Sequence, residues 1–490
     1  MKTVKIALLG AGTVGSQVYR LLEEQSGDLD ARAGARLEVD AVLVRNPEAE
    51  RDTEIPARLL TTDADAAIDG ADIVIELIGG IEPPYQYVSK ALRAGKTVVT
   101  GNKALLADRG PELYELAARN DGNLYYEAAV AGAVPVVYGL RESLVGDRIT
   151  TVLGIVNGTT NFILDSMTEQ GMSYEEALKK AQDLGFAEAD PSADVDGLDA
   201  AAKCAILASL AFHSRVSLAD VEVEGITGIT EADIDQASES GRTIKLLAIA
   251  DRTESPEGEA VSVSVHPVLV PNAHPLASVH GAFNAIVVEG ESAGQLMFYG
   301  QGAGGAPTAT AVLSDVVAAA HHIAHGGKAP HELVYANLPI LPADQVRTRY
   351  VIRLAVQDRV GVLSEVTRLF ADQGVSIQAV QQGEQPDPEK PGVVLLITTH
   401  SAPEGALQAV VRELKEGVRP RWAQTGTPRR VSSRMPSAIQ ASPSTLTISA
   451  PARISSPAFS SRRSVLALPM KGRSTISRLA PLPRATQRVW

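Results

Sequence analysis

Apolar strand-like runs alternate with helical patterns over the first 150 residues of the chain. This alternation is typical of a parallel α/β sheet, in which each strand is followed by a helix that returns to the same edge. The predicted strands are Val4–Leu9, Leu37–Val44, Ile73–Ile78, Thr97–Thr100 and Leu124–Glu127, and the predicted helices are Thr13–Glu24, Pro84–Ala94 and Pro111–Asn120.

The pattern changes after residue 150, where helical stretches mix with strand-like runs as in an α+β domain. The clearest segments are helices at Tyr174–Leu184 and Leu198–Phe212, strands at Ala260–Pro267 and Ala285–Glu289, a glycine-rich turn at Tyr299–Gly305 and an apolar helix at Thr308–Ala324. The segment Gly326–Asp344 has the character of a linker.

A third pattern, of the order βαββα, fills residues 349–415. Its predicted elements are a strand at Arg349–Val356, a turn at Asp358–Gly361, a helix at Leu363–Gln373, strands at Ser376–Gln381 and Val393–Thr398, and a helix from Pro403. A length of 490 residues agrees with about three domains.

Composition narrows the protein class further. The single cysteine, Cys204, excludes a disulfide framework and a cysteine-based zinc cluster. No apolar run approaches the roughly 18–20 residues that span a bilayer, and the N-terminus has no cleavable signal pattern. We therefore expect a cytoplasmic protein without membrane or nucleic-acid partners.

Charge divides the chain into two unlike parts. Residues 417–490 contain 13 Lys and Arg but no Asp or Glu, a net charge of +13. The remaining residues carry 32 basic and 58 acidic side chains, a net charge of −26, which together give the total of −13. The basic segment also contains 13 Ser and 9 Pro without periodicity, which predicts a disordered tail. It lacks the interleaved aromatic residues and folded scaffold of a nucleic-acid-binding arm.

A dinucleotide-binding turn follows the first predicted strand. Gly10, Gly12 and Gly15 form G-x-G-x-x-G between that strand and a helix beginning at Thr13 and Val14. The first glycine permits the tight turn, the second admits a pyrophosphate, and the third lets helix and strand pack closely. A purely structural glycine turn is the alternative, but the strand–turn–helix context favours a cofactor whose phosphates face the helix N-terminus.

The second strand should present an acidic residue to the ribose of NAD, but Arg45 stands in that place. Arginine can pair with a 2′-phosphate and stack on adenine, which favours NADP, with NAD as the alternative. A solvated loop arginine is the interpretation that assigns Arg45 no role.

The segment 181–203 is dense in carboxylates and ends in a lysine. Asp199 and Lys203 are four residues apart and so share one helix face. Spacing alone is equally consistent with loop acids and an ordinary helical salt bridge.

This segment resembles the signature of the homoserine dehydrogenases. The matching positions are Ala181, Gly185, Phe186, Ala187, Asp190, Pro191, Asp194, Val195, Gly197, Asp199 and Lys203. Four other stretches, at 99–103, 127–135, 157–161 and 299–305, also resemble the family. The resemblance covers residues 1 to about 415 and implies a Rossmann-type parallel-sheet domain followed by an α+β substrate and dimerisation domain.

The family interconverts L-aspartate 4-semialdehyde and L-homoserine with NAD(P)H. The resemblance makes Lys203 the general acid/base and Lys103 a second lysine at the reacting oxygen and the cofactor. If the two lysines are close, each should lower the pKa of the other. Glu188 and Asp199 would bind the cationic substrate amino group, with Asp194 near the catalytic lysine.

The resemblance also implies further binding positions. Gly185, Gly302 and Gly304 would lie along the cofactor. A monovalent cation, usually sodium, would be held by one carboxylate and backbone carbonyls of a loop, from Glu127, Val130, Gly132 and Val134. Hard oxygen ligands suit such an ion, whereas a buried strand and turn would explain the same residues without one.

The turn 358–363 resembles the D-R-P-G-V-L turn of ACT domains, with Val360 in place of proline. In long homoserine dehydrogenases this module implies feedback inhibition by L-threonine, and a purely dimerising module is the alternative. ACT domains end in a further strand, whereas this chain enters its basic tail after the helix at Leu407–Lys415. We therefore expect an incomplete ACT-like module and, as a hypothesis, a tail produced by a reading-frame change.

The predicted division is a nucleotide-binding domain at 1–134, a catalytic and dimerisation domain at 135–305, a returning helix and linker at 306–340, the ACT-like module at 349–416 and the tail at 417–490. We expect a homodimer or homotetramer. Another Rossmann oxidoreductase and a catalytically silent amino-acid sensor are the competing functions. His321 and His325 lack the glutamate of a metalloprotease motif, and Cys204 is expected to be a packed residue.

Overall fold

The computed structural model describes residues 1–51, 53–329, 334–356, 358, 360–384, 393–416 and 452–454. Within these ranges no helix is both long enough and apolar enough to cross a bilayer.

The N-terminal part forms a six-stranded sheet in the order β3-β2-β1-β4-β5-β6, and every neighbouring pair is parallel. The strands are β1 (Lys2–Leu9), β2 (Ala35–Leu43), β3 (Leu60–Thr61), β4 (Ile73–Glu76), β5 (Thr97–Thr100) and β6 (Asn123–Tyr125). The helices are α1 (Thr13–Glu24), α2 (Ser26–Ala33), α3 (Ala64–Gly70), α4 (Pro84–Arg93) and α5 (Lys103–Arg119). This strand order confirms the predicted Rossmann-type sheet.

One helix in this domain is longer than predicted. The segment expected to begin at Pro111 begins instead at Lys103, and Pro111 lies inside it. The side chain of Asn102 caps its start by accepting the N–H of Leu105. Strong N-capping by asparagine explains why the helix starts a full two turns before the proline.

The second domain is a separate mixed sheet covered by helices. Its strands are β7 (Ile149–Ile155), β8 (Glu222–Val223), β9 (Arg242–Ser255), β10 (Gly258–Pro271), β11 (Phe283–Gly290) and β12 (Gly294–Gln301). Its helices are α6 (Val136–Tyr138), α7 (Gly158–Gln170), α8 (Tyr174–Asp183), α9 (Ser192–Val195), α10 (Leu198–Phe212) and α11 (Glu231–Glu239). The order β12-β11-β7-β9-β10 is antiparallel throughout.

The sequence reasoning missed several of these strands. β7 and β9 were not predicted, and the expected turn at Tyr299–Gly305 begins with the last residues of β12. In β9 the residues Ile244–Ala250 are all buried, so the strand lacks the alternation that identifies a half-exposed strand.

Helix α12 (Gly305–His325) returns from the second domain to the first, starting three residues before the predicted Thr308. Its buried residues, among them Val312 and Val316, join a core that also contains Ile6 of β1 and Val18 of α1. The apolar face of this helix is therefore used to cover the nucleotide-binding sheet.

The C-terminal module has the expected βαββα order. Its elements are β13 (Arg347–Val356), α13 (Val362–Asp372), β14 (Ile377–Glu384), β15 (Val393–Thr399), β16 (Ala402–Pro403) and α14 (Glu404–Glu416). Tyr350, Ile352, Phe370, Ile397 and Leu407 lie in its own apolar core.

Three residues of the basic tail are described, and they form β17 (Ala452–Ile454). This strand pairs antiparallel with β13 and parallel with β10. The module sheet thereby has the order β17-β13-β15-β14, with β17 at the edge of β13 that an added fourth strand would take. The expectation of disorder for residues 417–451 and 455–490 lies outside the described residues.

Candidate active site

The glycine turn after β1 has the geometry of a phosphate cradle. Gly10 has φ 103°, and a Cβ there would lie 2.9 Å from the carbonyl oxygen of Leu77. A Cβ on Gly15 would lie 2.0 Å from the carbonyl oxygen of Gly10, whereas a Cβ on Gly12 would meet nothing within 4 Å. Gly12 stands at the N-cap of α1 without a side-chain cap, which leaves the first-turn N–H groups of Thr13 and Val14 available to an anion. The turn therefore fits a dinucleotide.

A second glycine segment closes over this turn. A Cβ on Gly305 would lie 2.9 Å from the carbonyl oxygen of Thr13, and one on Gly302 would lie 2.0 Å from the side-chain atoms of Asn284. Gly304 has φ 115°, in the left-handed region. The chain at 302–305 thus returns to the start of α1.

Arg45 lies two residues beyond the end of β2 and is exposed. Val44 before it is buried and donates its N–H to the carbonyl of Thr61 at 2.9 Å. Arg45 therefore projects from the edge of the sheet at which the glycine turn opens.

Asp199 lies between the two lysines singled out from the sequence. Its Oδ1 is 2.5 Å from Nζ of Lys103, and its Oδ2 accepts a hydrogen bond of 2.7 Å from Nζ of Lys203. Lys203 donates a second bond, also of 2.7 Å, to the carbonyl of Val156. The side chains of Asp199 and Lys203 are 5% and 10% exposed, whereas that of Lys103 is 45% exposed. The three groups form a Lys–Asp–Lys cluster that is open to solvent on the Lys103 side.

The electrostatics of this cluster differ from the expectation. Burial works to raise the pKa of Asp199, but the charges of Lys203 and Lys103 outweigh burial and hold it well below its usual range. Burial works to lower the pKa of Lys103, but Asp199 outweighs burial and the pKa is raised. The expectation that the two lysines lower each other's pKa is therefore wrong for Lys103, because a carboxylate separates them.

The remaining predicted acids surround this cluster. Asp194 Oδ1 accepts a hydrogen bond of 2.6 Å from the side-chain amide of Asn157, and Glu188 is exposed in the loop before α9. The charges of both acids contribute to the raised pKa of Lys103, so both lie within electrostatic range of it. Gly185, with φ 74°, turns the chain after α8 and is exposed.

Two polar residues that the sequence reasoning did not single out fix the start of α5. Glu76, at the end of β4, is fully buried; its carboxylate accepts the hydroxyl of Thr100 at 2.7 Å and the N–H of Ile78 at 2.8 Å. Asn102 donates to the carbonyl of Gly80 at 2.7 Å while it caps α5, where Lys103 is the first residue. An acid at the carboxyl end of a parallel strand was the signal that could have identified Glu76.

The loop 127–134 is buried except at Ala133 and is tightly bent. Ala131 and Gly132 both have positive φ, and a Cβ on Gly132 would lie 2.6 Å from the carbonyl oxygen of Gly302. The Glu127 carboxylate accepts the N–H groups of Val137 at 3.1 Å and Tyr138 at 2.7 Å. Both carboxylate oxygens thus cap α6, and a cation here would depend chiefly on the main-chain oxygens of the loop.

A second buried carboxylate lies beside Glu127. Asp315 of α12 accepts the N–H of Glu127 at 2.9 Å. Burial raises the pKa of Glu127 to about 7, with the charge of Asp315 adding to the shift, and burial raises that of Asp315 to about 7. Two carboxyl groups whose ionisation is disfavoured in this way would gain from a nearby cation, so the donor set fits one.

Three other features singled out from the sequence are the cysteine, the histidine pair of α12 and the ACT-like turn. Cys204 is buried, and burial raises the pKa of its thiol to about 12, as expected for a packed cysteine. His321 and His325 stack on each other with ring centroids 4.5 Å apart. In the ACT-like turn, Gly361 has φ 95° and Val360 is fully exposed, but Arg359 lies outside the described residues.

These features define a class: an oxidoreductase with a Rossmann nucleotide-binding domain and a polar site formed where its loops meet α10 of the second domain. Family models agree domain by domain. The model described as homoserine dehydrogenase, NAD binding domain, matches residues 10–127, that of homoserine dehydrogenase matches 135–317, and that of the ACT domain matches 350–416.

Individual relatives are similar over most of their length. The homoserine dehydrogenase of Corynebacterium glutamicum is 54% identical over 415 residues, which cover 84% of this chain and 92% of that protein. That of Mycobacterium tuberculosis is 49% identical over 420 residues, covering 85% and 95%. The crystal structure of a homoserine dehydrogenase from Thiobacillus denitrificans superposes with a TM-score of 0.78 at 39% identity, covering 85% of this chain and 95% of that one. The chain belongs to the homoserine dehydrogenase family.

Proposed function

We propose that this protein catalyses the reversible NAD(P)H-dependent reduction of L-aspartate 4-semialdehyde to L-homoserine, in the biosynthesis of threonine, methionine and isoleucine. The observation that carries the proposal is the Lys–Asp–Lys cluster, in which Asp199 contacts both Lys103 and Lys203. A carbonyl reduction needs a proton donor and a positive charge at the reacting oxygen, and this cluster supplies both.

Lys203 is the proposed general acid/base. Its ammonium group is held by two acceptors, Asp199 Oδ2 and the carbonyl of Val156, so its third hydrogen is the one that can be given to the substrate oxygen. Lys103, on the solvent-facing side, stabilises the developing negative charge there. The cofactor supplies the hydride when it is bound.

The substrate also carries a cationic α-amino group. Glu188, Asp194 and Asp199 are the proposed carboxylate partners. The charges of all three help to raise the pKa of Lys103, so all three lie near it. A carboxylate can accept at about four lone-pair sites, so Asp199 can bind both lysines and still accept from the substrate.

The proposed cofactor is NADP, with NAD as the alternative. Gly10, Gly12, Gly15 and the first-turn residues Thr13 and Val14 would hold the pyrophosphate, and Arg45 would meet the 2′-phosphate. Gly185, Gly302, Gly304 and Lys103 would lie along the remainder of the cofactor. The solved structure of a hyperthermophilic archaeal homoserine dehydrogenase, of TM-score 0.54 and 27% identity, is in complex with NADPH, which supports the choice.

A sodium ion is the proposed occupant of the loop 127–134. The carboxylate of Glu127 and main-chain oxygens of Val130, Gly132 and Val134 would be its ligands, and the neighbouring Asp315 carboxylate would gain charge compensation. Hard oxygen donors suit such an ion. Its role would be to fix the loop that contacts Gly302, without taking part in the chemistry.

The proposed regulatory ligand is L-threonine, bound by the ACT-like module at 349–416. The left-handed Gly361 at the N-cap of α13 leaves backbone N–H groups that could receive a carboxylate. Cofactor binding would then belong to residues 1–134, catalysis and dimerisation to 135–305, and regulation to 349–416, the domain boundaries expected from the sequence.

A cytoplasmic homodimer or homotetramer is the proposed assembly. Strand β12 lies at the end of its sheet, and Leu296, Met297 and Tyr299 on it are 36%, 37% and 54% exposed. An exposed apolar edge strand of this kind offers unpaired backbone groups and apolar surface to which another chain can bind.

One assay separates the proposed activity from its competitors. Purified protein should oxidise NADPH when given L-aspartate 4-semialdehyde and reduce NADP with L-homoserine. Turnover of other small oxo acids at equal kcat/KM would favour a different oxidoreductase, and binding of amino acids without turnover would favour a sensor.

A further inference from the structure

Asn157 occupies a position in which the orientation of its amide is fixed by the backbone. It is the N-cap of α7 and is 4% exposed. Its Oδ1 accepts the backbone N–H of Thr160 at 2.9 Å and the hydroxyl of the same residue at 3.0 Å. Since a backbone N–H can only donate, the oxygen must face Thr160 and the NH₂ group must face the opposite way.

The NH₂ group points at two acids of the site. Nδ2 of Asn157 donates to Oδ1 of Asp194 at 2.6 Å and to Oδ2 of Asp199 at 2.9 Å. The two acids stand on different helices, α9 and α10, so one amide joins the start of α7 to both. Charge-assisted hydrogen bonds of this kind are about twice as strong as neutral ones.

Val156, the residue before Asn157, binds Lys203, the ion-pair partner of Asp199. The carbonyl of Val156 accepts from Nζ of Lys203, which itself bonds the same Oδ2 of Asp199 that Asn157 bonds. Two consecutive residues therefore fix both the ammonium and the carboxylate of the Lys203–Asp199 ion pair. Without the amide, the carboxylates of Asp194 and Asp199 would lose the shared donor that keeps them side by side.

We propose that Asn157 is a positioning residue for the reaction: by donating to Asp194 and Asp199 together, it sets the orientation of the carboxylate that holds Lys103 and Lys203. The proposal rests on the catalytic role proposed for the lysines. The charged groups nearest Lys203 are Asp199 on its own helix, which it contacts directly, Lys103 on α5, across Asp199, and Asp194 on α9, which is joined to Asp199 through Asn157.

Asn157→Asp separates this role from folding. Aspartate is as good an N-cap as asparagine, so α7 should keep its cap. The amide nitrogen that donates to Asp194 and Asp199 is replaced by a carboxylate oxygen, which can only accept. The variant should lose about tenfold to a hundredfold in kcat/KM for L-homoserine, the range expected when hydrogen bonds to a charged group are lost. Added negative charge favours the protonated lysine, so the rising limb of the pH profile for homoserine oxidation should move to higher pH.

Asn157→Ser is the second variant, because serine also caps well but is too short to reach both acids. It should lose rate in the same range, with a smaller displacement of the pH profile since no charge is added. The matched control is Asn161→Ser, one turn further along α7. Its amide bonds the carbonyls of Val279 and Gly281 and the ammonium of Lys245, so it should lower Tm and leave the pH profile in place.

The decisive measurements are Tm, the NADPH Kd from cofactor fluorescence and the kcat/KM pH profile of all three variants. Wild-type kcat/KM and an unmoved profile in both Asn157 variants would overturn the proposal. So would loss of NADPH binding together with a large fall in Tm, which would give Asn157 a folding role. Full activity in Lys203→Met would instead refute the acid/base role of Lys203. That result is independent of the outcome for the Asn157 variants.

Discussion

Nζ of Lys103 lies 2.5 Å from Oδ1 of Asp199, so a residue at the start of α5 in the nucleotide-binding domain contacts an acid of α10 in the second domain. The same acid binds Lys203 through its other oxygen. Because both lysines share one carboxylate, their mutual repulsion is compensated. In the proposed reaction, the cluster would place this positive charge where the reacting oxygen acquires negative charge.

Replacement of Lys203 by methionine should abolish turnover and spare cofactor binding. Methionine is similar in length but cannot donate a proton, and loss of a general acid lowers kcat by about 10²–10⁴. Steady-state kinetics together with NADPH fluorescence titration check this expectation. Lys179→Met removes an exposed lysine that pairs with Asp183 in the same helix and serves as the control; substantial activity in Lys203→Met would refute the role.

Replacement of Asp199 by asparagine should reduce stability as well as activity. The change leaves the buried ammonium of Lys203 without its carboxylate, and breaking a buried ion pair in this way costs about 3–5 kcal/mol. Urea unfolding of wild type and variant at pH 7 measures the difference in free energy of unfolding.

The pH dependence of that difference has a definite sign. The folded-state pKa of Asp199 is held below its unfolded value, so its contribution is complete above the unfolded value of about 3.9 and is lost as pH falls towards the folded one. The gap between wild type and Asp199→Asn should therefore be constant from pH 5 to 7 and narrow below about pH 4. A gap that widens in acid would contradict the ion-pair explanation.

Replacement of Arg45 by glutamate should change cofactor preference. A carboxylate at the end of β2 repels a 2′-phosphate and can accept from a ribose 2′-hydroxyl, so KM for NADPH should rise far more than KM for NADH. The comparison is made on the same preparation with saturating L-aspartate 4-semialdehyde. Arg36→Glu, at the opposite end of the same strand, makes the same charge change away from the turn; equal effects of Arg45→Glu on both coenzymes would remove Arg45 from the cofactor site.

The sequence predicted those features that are local in the chain. The glycine turn, the pairing of Asp199 with Lys203 on one helix face and the βαββα order of the C-terminal module each depend on spacing within a short segment. The contact of Lys103 with Asp199 joins distant segments, and the resemblance to a family placed both residues without showing that the acid lies between the lysines. That geometry also reversed the expected pKa shift of Lys103.

Buried polar residues were harder to predict. Glu76 and Asn157 work through hydrogen bonds to backbone groups and to other side chains, which no periodicity reveals. β7 and β9 escaped prediction because central strands of a covered sheet lack alternation. β17 follows no local pattern at all, since it is defined by pairing with β13 and β10.

Truncation tests whether the C-terminal module is the threonine sensor. A chain ending after Leu341 lacks the whole module and should retain dehydrogenase activity, because the Lys–Asp–Lys cluster and the glycine turns lie before that point, but it should show no inhibition by L-threonine. A second chain ending after Glu416 keeps β13 to α14 and loses β17, which exposes the edge of β13.

If the fourth strand is needed to complete the module, this second chain should also be insensitive to threonine. Initial rates measured across a threonine titration of the full chain and both truncated chains test these expectations. An unchanged threonine response after truncation at Leu341 would exclude the module as the sensor, and an unchanged response after truncation at Glu416 alone would show that β17 is dispensable.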